Sequence, residues 1–175
     1  MNLIITEPSL HSLPPLCLAQ PHDTEELMQL IRLAHGENGM FPWSERKARA
    51  ELADTLCKGE GIVGLLKDPS NAIRGLAWLI YCSEWYSETY CLTERLIYVR
   101  PDSRNAVYAH ALISWVQLMS DRLGAMMVGV VATHRTQAKA RMYRRFFGDP
   151  VGYYFSYNNY NPEAARLPPL ASDAA

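Results

Sequence analysis

Residues 94–123, ERLIYVRPDSRNAVYAHALISWVQLMSDRL, decide how the rest of the chain is read. Arg95 to Val99 reads as a strand, and Leu96, Ile97, Tyr98 and Val99 form an apolar run within it. Such a run in a short strand predicts burial on both faces, as at the centre of a sheet. Pro101 and Asp102 stop the strand. From Val107 the period changes: Ala109, Leu112, Ile113, Val116, Met119 and Leu123 fall on one face at helical spacing. A buried strand therefore turns tightly into a long amphipathic helix. The turn carries Arg104, and the helix start leaves N–H groups from about Arg104 to Ala109 without intrahelical partners. That is how a chain builds an anion site, with a pyrophosphate as its usual occupant. The plainer reading is an ordinary strand-to-helix turn with Arg104 on the surface.

Working outward, three strand signals stand close together: Gly61 to Lys67, Ile73 to Cys82 and Tyr90 to Val99. Asp68-Pro69-Ser70-Asn71 is a turn signal between the first two. Ser83 to Glu88 joins the next pair, with Trp85 and Tyr86 near its tip. Connections this short make antiparallel neighbours. Upstream, Leu16 to Gln20 reads as a short first strand. Asp23 or Thr24 caps a helix whose buried face is Leu27, Leu30, Ile31 and Ala34, ended by Gly36 and Gly39. Met40, Phe41, Pro42 and Trp43 form a bulky apolar link. Ser44 caps a second helix with Ala48, Leu52 and Leu56 inward and Lys58 and Gly59 at its end.

Downstream of the long helix, Ala125 to Val131 reads as a strand parallel to Tyr90–Val99, because a helix crosses between them. His134 to Phe147 reads as a last helix with Ala138, Met142 and Phe146 on one side. Val151 to Tyr157 reads as a closing strand with Tyr153, Phe155 and Tyr157 alternating. Residues 1–15, with Pro8, Pro14 and Pro15, read as an N-terminal arm. Residues 158–175, with Pro162, Pro168 and Pro169, read as a disordered tail.

Composition removes several function classes. The 175 residues are 49% hydrophobic and 20% charged, an ordinary balance that fits one domain. The net charge of −1 offers no basic field for nucleic acid. No apolar run reaches membrane-spanning length, and the N-terminus lacks the basic start and cleavage site of a secretory signal. Cys17, Cys57, Cys82 and Cys91 are scattered, which predicts four reduced thiols in a cytoplasmic protein. His11, His22, His35, His110 and His134 show no ligand spacing, so no metal site is expected. The G-x-x-x-x-G-K-[S/T], G-x-G-x-x-G and G-x-S-x-G patterns are absent.

The run Val99-Arg100-Pro101-Asp102-Ser103-Arg104-Asn105-Ala106-Val107-Tyr108-Ala109 resembles the acetyl-CoA loop of the GNAT superfamily of N-acetyltransferases. The family pattern is V-x-P-x-x-R/Q-x-x-G-x-G/A before a helix. Arg104 matches its first signature position and Ala109 its last, while Val107 stands where the family usually has glycine. The element order β, α, α, β, β, β, α, β, α, β is also that of the superfamily, over residues 16–157. The fine texture is most similar to GNAT proteins of tailed phages and prophages.

The resemblance implies an α/β fold with a mixed, mostly antiparallel sheet of about six to seven strands flanked by four helices. It implies acetyl-CoA as co-substrate, lying where the two central parallel strands splay apart. Backbone groups of Ile97, Tyr98 and Val99 would pair with the pantetheine arm, and Arg104, Asn105, Ala106, Val107, Tyr108 and Ala109 would hold the pyrophosphate. Glu94 becomes the candidate general base, with Glu84 and Glu88 as lesser ones; the plainer reading pairs Glu94 with Arg95 or a neighbour. Tyr143, in Ala140-Arg141-Met142-Tyr143-Arg144-Arg145-Phe146-Phe147-Gly148, resembles the tyrosine that many of these enzymes aim at the leaving thiolate; the plainer reading is a packing tyrosine. Arg141, Arg144 and Arg145 would meet the 3′-phosphate or form a solvated face, and His134 and Thr136 would contact the pantetheine or, the favoured reading, cap the last helix. The expected activity is acetyl transfer to a primary amine, on a small molecule or a protein, by direct attack in a ternary complex. The competing expectation is a GNAT-fold binding module that has lost turnover. Neither nucleic acid nor membrane is expected as a partner. An open sheet edge left by a missing last strand suits a homodimer, and the expected location is the cytoplasm of a bacterium, or of the host if the protein is phage-encoded.

Overall fold

The computed structural model describes residues 14–39, 41–83, 85–129 and 136–150. The order is β1 (Leu16–Leu18), α1 (Thr24–Asn38), α2 (Glu45–Lys58), β2 (Gly61–Lys67), β3 (Ile73–Ser83), β4 (Tyr90–Val99), α3 (Ala106–Leu123), β5 (Met126–Val128) and α4 (Thr136–Phe147). Five strands form one sheet in the order β1-β2-β3-β4-β5. All neighbours are antiparallel except β4 and β5, which run parallel because α3 crosses between them. The expected closing strand over Val151 to Tyr157, the arm up to residue 13 and the tail lie outside the described residues. No helix among the described residues is long and apolar enough to cross a membrane.

Each face of the sheet carries its own core. On one, Leu27, Leu30 and Ile31 of α1 and Leu52 of α2 pack against Leu65, Leu76 and Tyr98. On the other, Leu112, Trp115 and Val116 of α3 pack against Leu66, Leu79 and Leu92. Trp115 lies flat against the backbone of β2: a Cβ on Gly64 would sit 2.8 Å from its ring. The indole therefore requires a glycine beneath it. Leu123, predicted on the buried stripe of α3, is 48% exposed at the helix end.

Local signals read in the sequence act as expected at several ends. Ser44 Oγ accepts from Lys47 N at 3.4 Å, and Gly59 ends α2 with φ of 72°. Asp23 precedes α1 but does not cap it. Its carboxylate accepts from Gln20 N at 2.8 Å and from Lys67 Nζ at 3.3 Å, closing a short 3-10 turn that ends β1 at Leu18 rather than Gln20.

The β2–β3 turn yields a pH prediction. Asp68 accepts from Ser70 N and Oγ at 2.8 and 2.6 Å, from Ala72 N at 3.1 Å and from Arg74 Nε at 2.7 Å. The Ser70 hydroxyl first, then Arg74, holds its carboxyl down from 3.8 to about 2. A depressed folded pKa gives stability that is present above the unfolded value and lost as pH falls through the folded one. Unfolding followed between pH 4 and pH 2 should therefore show an acid-induced loss that is shallower in Asp68→Asn; equal slopes would contradict this.

Candidate active site

The strand that leads into the predicted loop is irregular beside Glu94. Across β3, Trp78 faces Leu96 and Leu79 faces Glu94, so Arg95 is an extra residue in a bulge. Glu94 and Arg95 point to opposite faces, as strand neighbours do, and the extra residue lets Arg95 share the α2 face with Leu96. Arg95 turns to α2 and binds Glu51 at 2.5 Å. Glu94 turns to the α3 face, sharing it with Leu79 and Leu92. Arg95 is thus directed to Glu51, and the cation on Glu94 is Lys139, which keeps the plainer reading of a paired carboxylate in play.

β5 pairs with β4 only at Cys91, Leu92 and Thr93. Beyond Thr93, β4 has no strand beside it on that edge among the described residues. Leu96, Ile97 and Val99 are consequently half-buried, not enclosed on both faces as predicted; Tyr98 alone of that run is buried. Its hydroxyl donates to Glu37 Oε1 at 2.6 Å, and burial first, then Glu37, pushes its pKa up to about 12.

Arg104 is drawn into the same cluster. One terminal nitrogen donates to Glu37 Oε2 at 2.5 Å and Nε donates to the Val99 carbonyl at 3.1 Å. Its guanidinium also lies 5.3 Å from the centroid of the Tyr98 ring. Arg104 is thus neither a bare surface residue nor aimed at the loop mouth; it ties the turn to the end of α1. Glu37 was missed in the sequence because an acidic residue near a helix C-terminus reads as solvated.

The turn itself is ordered by its own residues. Pro101–Ser103 make one 3-10 turn, and Asn105 then caps α3 by accepting from Tyr108 N at 2.7 Å. The Ala109 N–H donates to the Asn105 carbonyl at 3.3 Å. Of the predicted N–H donors, those of Tyr108 and Ala109 are therefore used internally. The helix offers no acceptor to the N–H groups of Ala106 and Val107. The Val107 side chain is 40% exposed.

The two predicted catalytic residues meet. Glu94 and Tyr143 are 4% and 7% exposed. The Tyr143 hydroxyl donates to Glu94 Oε2, and Lys139 Nζ donates to Oε1. Lys139 also lies 5.1 Å from the centroid of the Tyr143 ring. A carboxylate removed from water needs a cation and hydrogen-bond donors. Both come from one face of α4, one turn apart. Burial first, then the charge and hydrogen bond of Glu94, raises the Tyr143 pKa well above the usual tyrosine range. The hydroxyl is accordingly a firmly held proton.

This corrects the reading of α4. Its inward face carries Lys139 and Tyr143, with Met142 and Phe146 half-buried, while Ala138 is exposed. Lys139 was missed because a lysine inside a basic, amphipathic helix reads as solvated. Arg141, Arg144 and Arg145 lie on the exposed side of the described helix. Glu88 is exposed; Glu84 and His134 lie outside the described residues. A separate cleft of about 620 Å³, lined in part by Glu51, Thr55, Glu60, Tyr81, Tyr90 and Arg95, contains none of the predicted site residues.

A mixed five-stranded sheet with four helices in this order is the decisive feature, and solved structures share the fold. The chain has the GNAT fold. A protein of Clostridium acetobutylicum, described as a predicted acetyltransferase and solved with acetyl-CoA, superposes with a TM-score of 0.68 at 12% identity, covering 82% of this chain and 95% of that one. The ribosomal-protein-alanine N-acetyltransferase of Brucella melitensis biovar Abortus gives 0.61 at 15% identity, over 84% and 99% of the two chains. The aminoglycoside 6′-N-acetyltransferase of Acinetobacter baumannii gives 0.63 at 11% identity, over 84% and 98%. No protein-family model and no curated protein matches the sequence.

Proposed function

We propose that this protein is an acetyl-CoA-dependent N-acetyltransferase acting on a primary amine by direct attack in a ternary complex. The observation that carries the reading is the buried contact of Glu94 with Tyr143, located where β4 and β5 part. The fold shared with acetyltransferases supports it. The residues present fit the co-substrate. The N–H groups of Ala106 and Val107 at the α3 N-terminus suit the pyrophosphate, and the edge of β4 from Glu94 to Val99, unpaired among the described residues, suits the pantetheine amides. Acetyl-CoA would supply the thioester acetyl group and a thiolate to be expelled.

Glu94 and Tyr143 would act as a relay. An amine of pKa about 10.4 has only about one molecule in a thousand uncharged at neutral pH. Glu94 receives the amine proton, directly or through one water. It passes that proton to Tyr143 Oη as Tyr143 releases its own toward the departing sulfur. The exchange avoids a tyrosinate, which burial beside Glu94 makes costly. Lys139 stays on the other carboxylate oxygen and keeps Glu94 oriented.

The test is release of CoA thiol with primary-amine acceptors, including lysine peptides. Glu94→Gln should slow amine-dependent release by about 10²- to 10⁴-fold, and Tyr143→Phe should slow it with unchanged acetyl-CoA affinity. Amine-dependent release that neither variant alters would overturn the reading. The loop has its own test in Ala106→Pro. Position 106 opens α3 and Asn105 is extended, with φ −151° and ψ 167°, so proline fits and only the N–H is removed. Stability should hold while acetyl-CoA affinity falls by about 10-fold or more, the worth of a hydrogen bond to a charged group. Unchanged affinity by calorimetry would remove this N–H from the site.

A further inference from the structure

Cys82 and Cys91 face each other across β3 and β4 as a directly opposed antiparallel pair. Their sulfur atoms are 3.0 Å apart, and the Thr93 hydroxyl lies 2.8 Å from Cys82 Sγ. Directly opposed residues in an antiparallel ladder have Cα atoms about 4.5–5.5 Å apart, within the roughly 4.4–6.8 Å span of disulfides. The two thiols therefore already point at each other from a pair whose spacing suits a disulfide. They also differ in access: Cys82 is half-buried and Cys91 is buried. One sulfur can be reached by a small reagent and the other only by its neighbour.

We propose that Cys82 and Cys91 form a redox modification site, closed to an intrachain disulfide by a small-molecule disulfide such as glutathione disulfide. The Cys82 thiolate attacks one sulfur of the reagent, forming a mixed disulfide and expelling one thiolate. Cys91 attacks Cys82 Sγ, expelling the second thiolate, which takes up the proton that Cys91 gives up. The two protein thiols are oxidised and the reagent is reduced to two thiols. Thr93 is placed to hydrogen-bond Cys82 Sγ and hold it toward its partner. The bond would lock the base of the hairpin that carries Trp85 and Tyr86, on the strand that holds Glu94. Cys17 and Cys57 are exposed and have no thiol opposite them among the described residues, so they serve as internal controls.

The experiment treats the reduced full chain with glutathione disulfide and maps its peptides without reduction. The expected product links Cys82 to Cys91, lighter by two hydrogens, while Cys17 and Cys57 carry glutathione. Dithiothreitol should restore the thiols. Cys91→Ser should leave Cys82 as a lasting glutathione adduct. If both remain thiols, or each carries its own glutathione, while Cys17 and Cys57 are fully modified, the proposal is overturned. This outcome is independent of acetyl transfer.

Discussion

Glu94→Ala is expected to destabilise the protein by about 3 kcal/mol, the lower end for removing one partner of a buried ion pair. The reason is what it leaves behind. Lys139 keeps its charge in a site that is 16% exposed, and Tyr143 loses the acceptor of its buried hydroxyl. Glu94→Gln keeps an amide oxygen for one of these donors and should cost less. The two variants separate structure from chemistry. If Glu94 is a base, both should lose amine-dependent thiol release by about 10²-fold or more, although only Ala is strongly destabilised. Urea unfolding of the three proteins provides the check. An alanine variant as stable as the wild type would mean that the Glu94–Lys139 pair contributes nothing to the fold.

Trp115→Ala is expected to cost about 3–5 kcal/mol, the usual range for deleting a buried large aromatic. The indole is 8% exposed and fills the space above Gly64. Gly64→Ala should itself cost about 1–3 kcal/mol through overpacking, since its Cβ would meet ring carbons at 2.8 Å. The two changes should not add. With the ring gone, an alanine at position 64 has room, so the Gly64→Ala penalty should shrink in the Trp115→Ala background. Full additivity would show that the glycine is not there for the tryptophan. The proposed cofactor site depends on this contact indirectly, because it seats α3, which begins after its cap Asn105.

The limits of the sequence follow from the range of its signals. Periodicity is local, and it located α1, α2, α3 and the β2–β3–β4 meander with their faces correct at Leu27, Leu52, Leu112 and Val116. It was silent on contacts that depend on distant backbone. Trp115 against Gly64 is one such contact, and the Glu37 link to Arg104, 67 residues away, is another. The apolar run Leu96 to Val99 reads as fully enclosed because local composition does not report what lies beside a strand; among the described residues β5 pairs with β4 only up to Thr93. Glu94 and Tyr143 were singled out through resemblance. Their meeting across 49 residues was not encoded in either local pattern. Lys139 was hidden for a simpler reason. A cation on an amphipathic helix is normally placed in water, and only a buried carboxylate opposite it turns that face inward.

Thermal unfolding with acetyl-CoA, CoA or ATP tests the central claim most directly. A ligand at a hundred times its dissociation constant adds about 2.7 kcal/mol, which for a chain of this size is a rise of roughly 5–10 °C. Acetyl-CoA and CoA should each give this rise, and ATP should not. No shift with either at millimolar concentration would mean that the turn before α3 and the open edge of β4 do not form a cofactor site, and the acetyltransferase reading would fall with them.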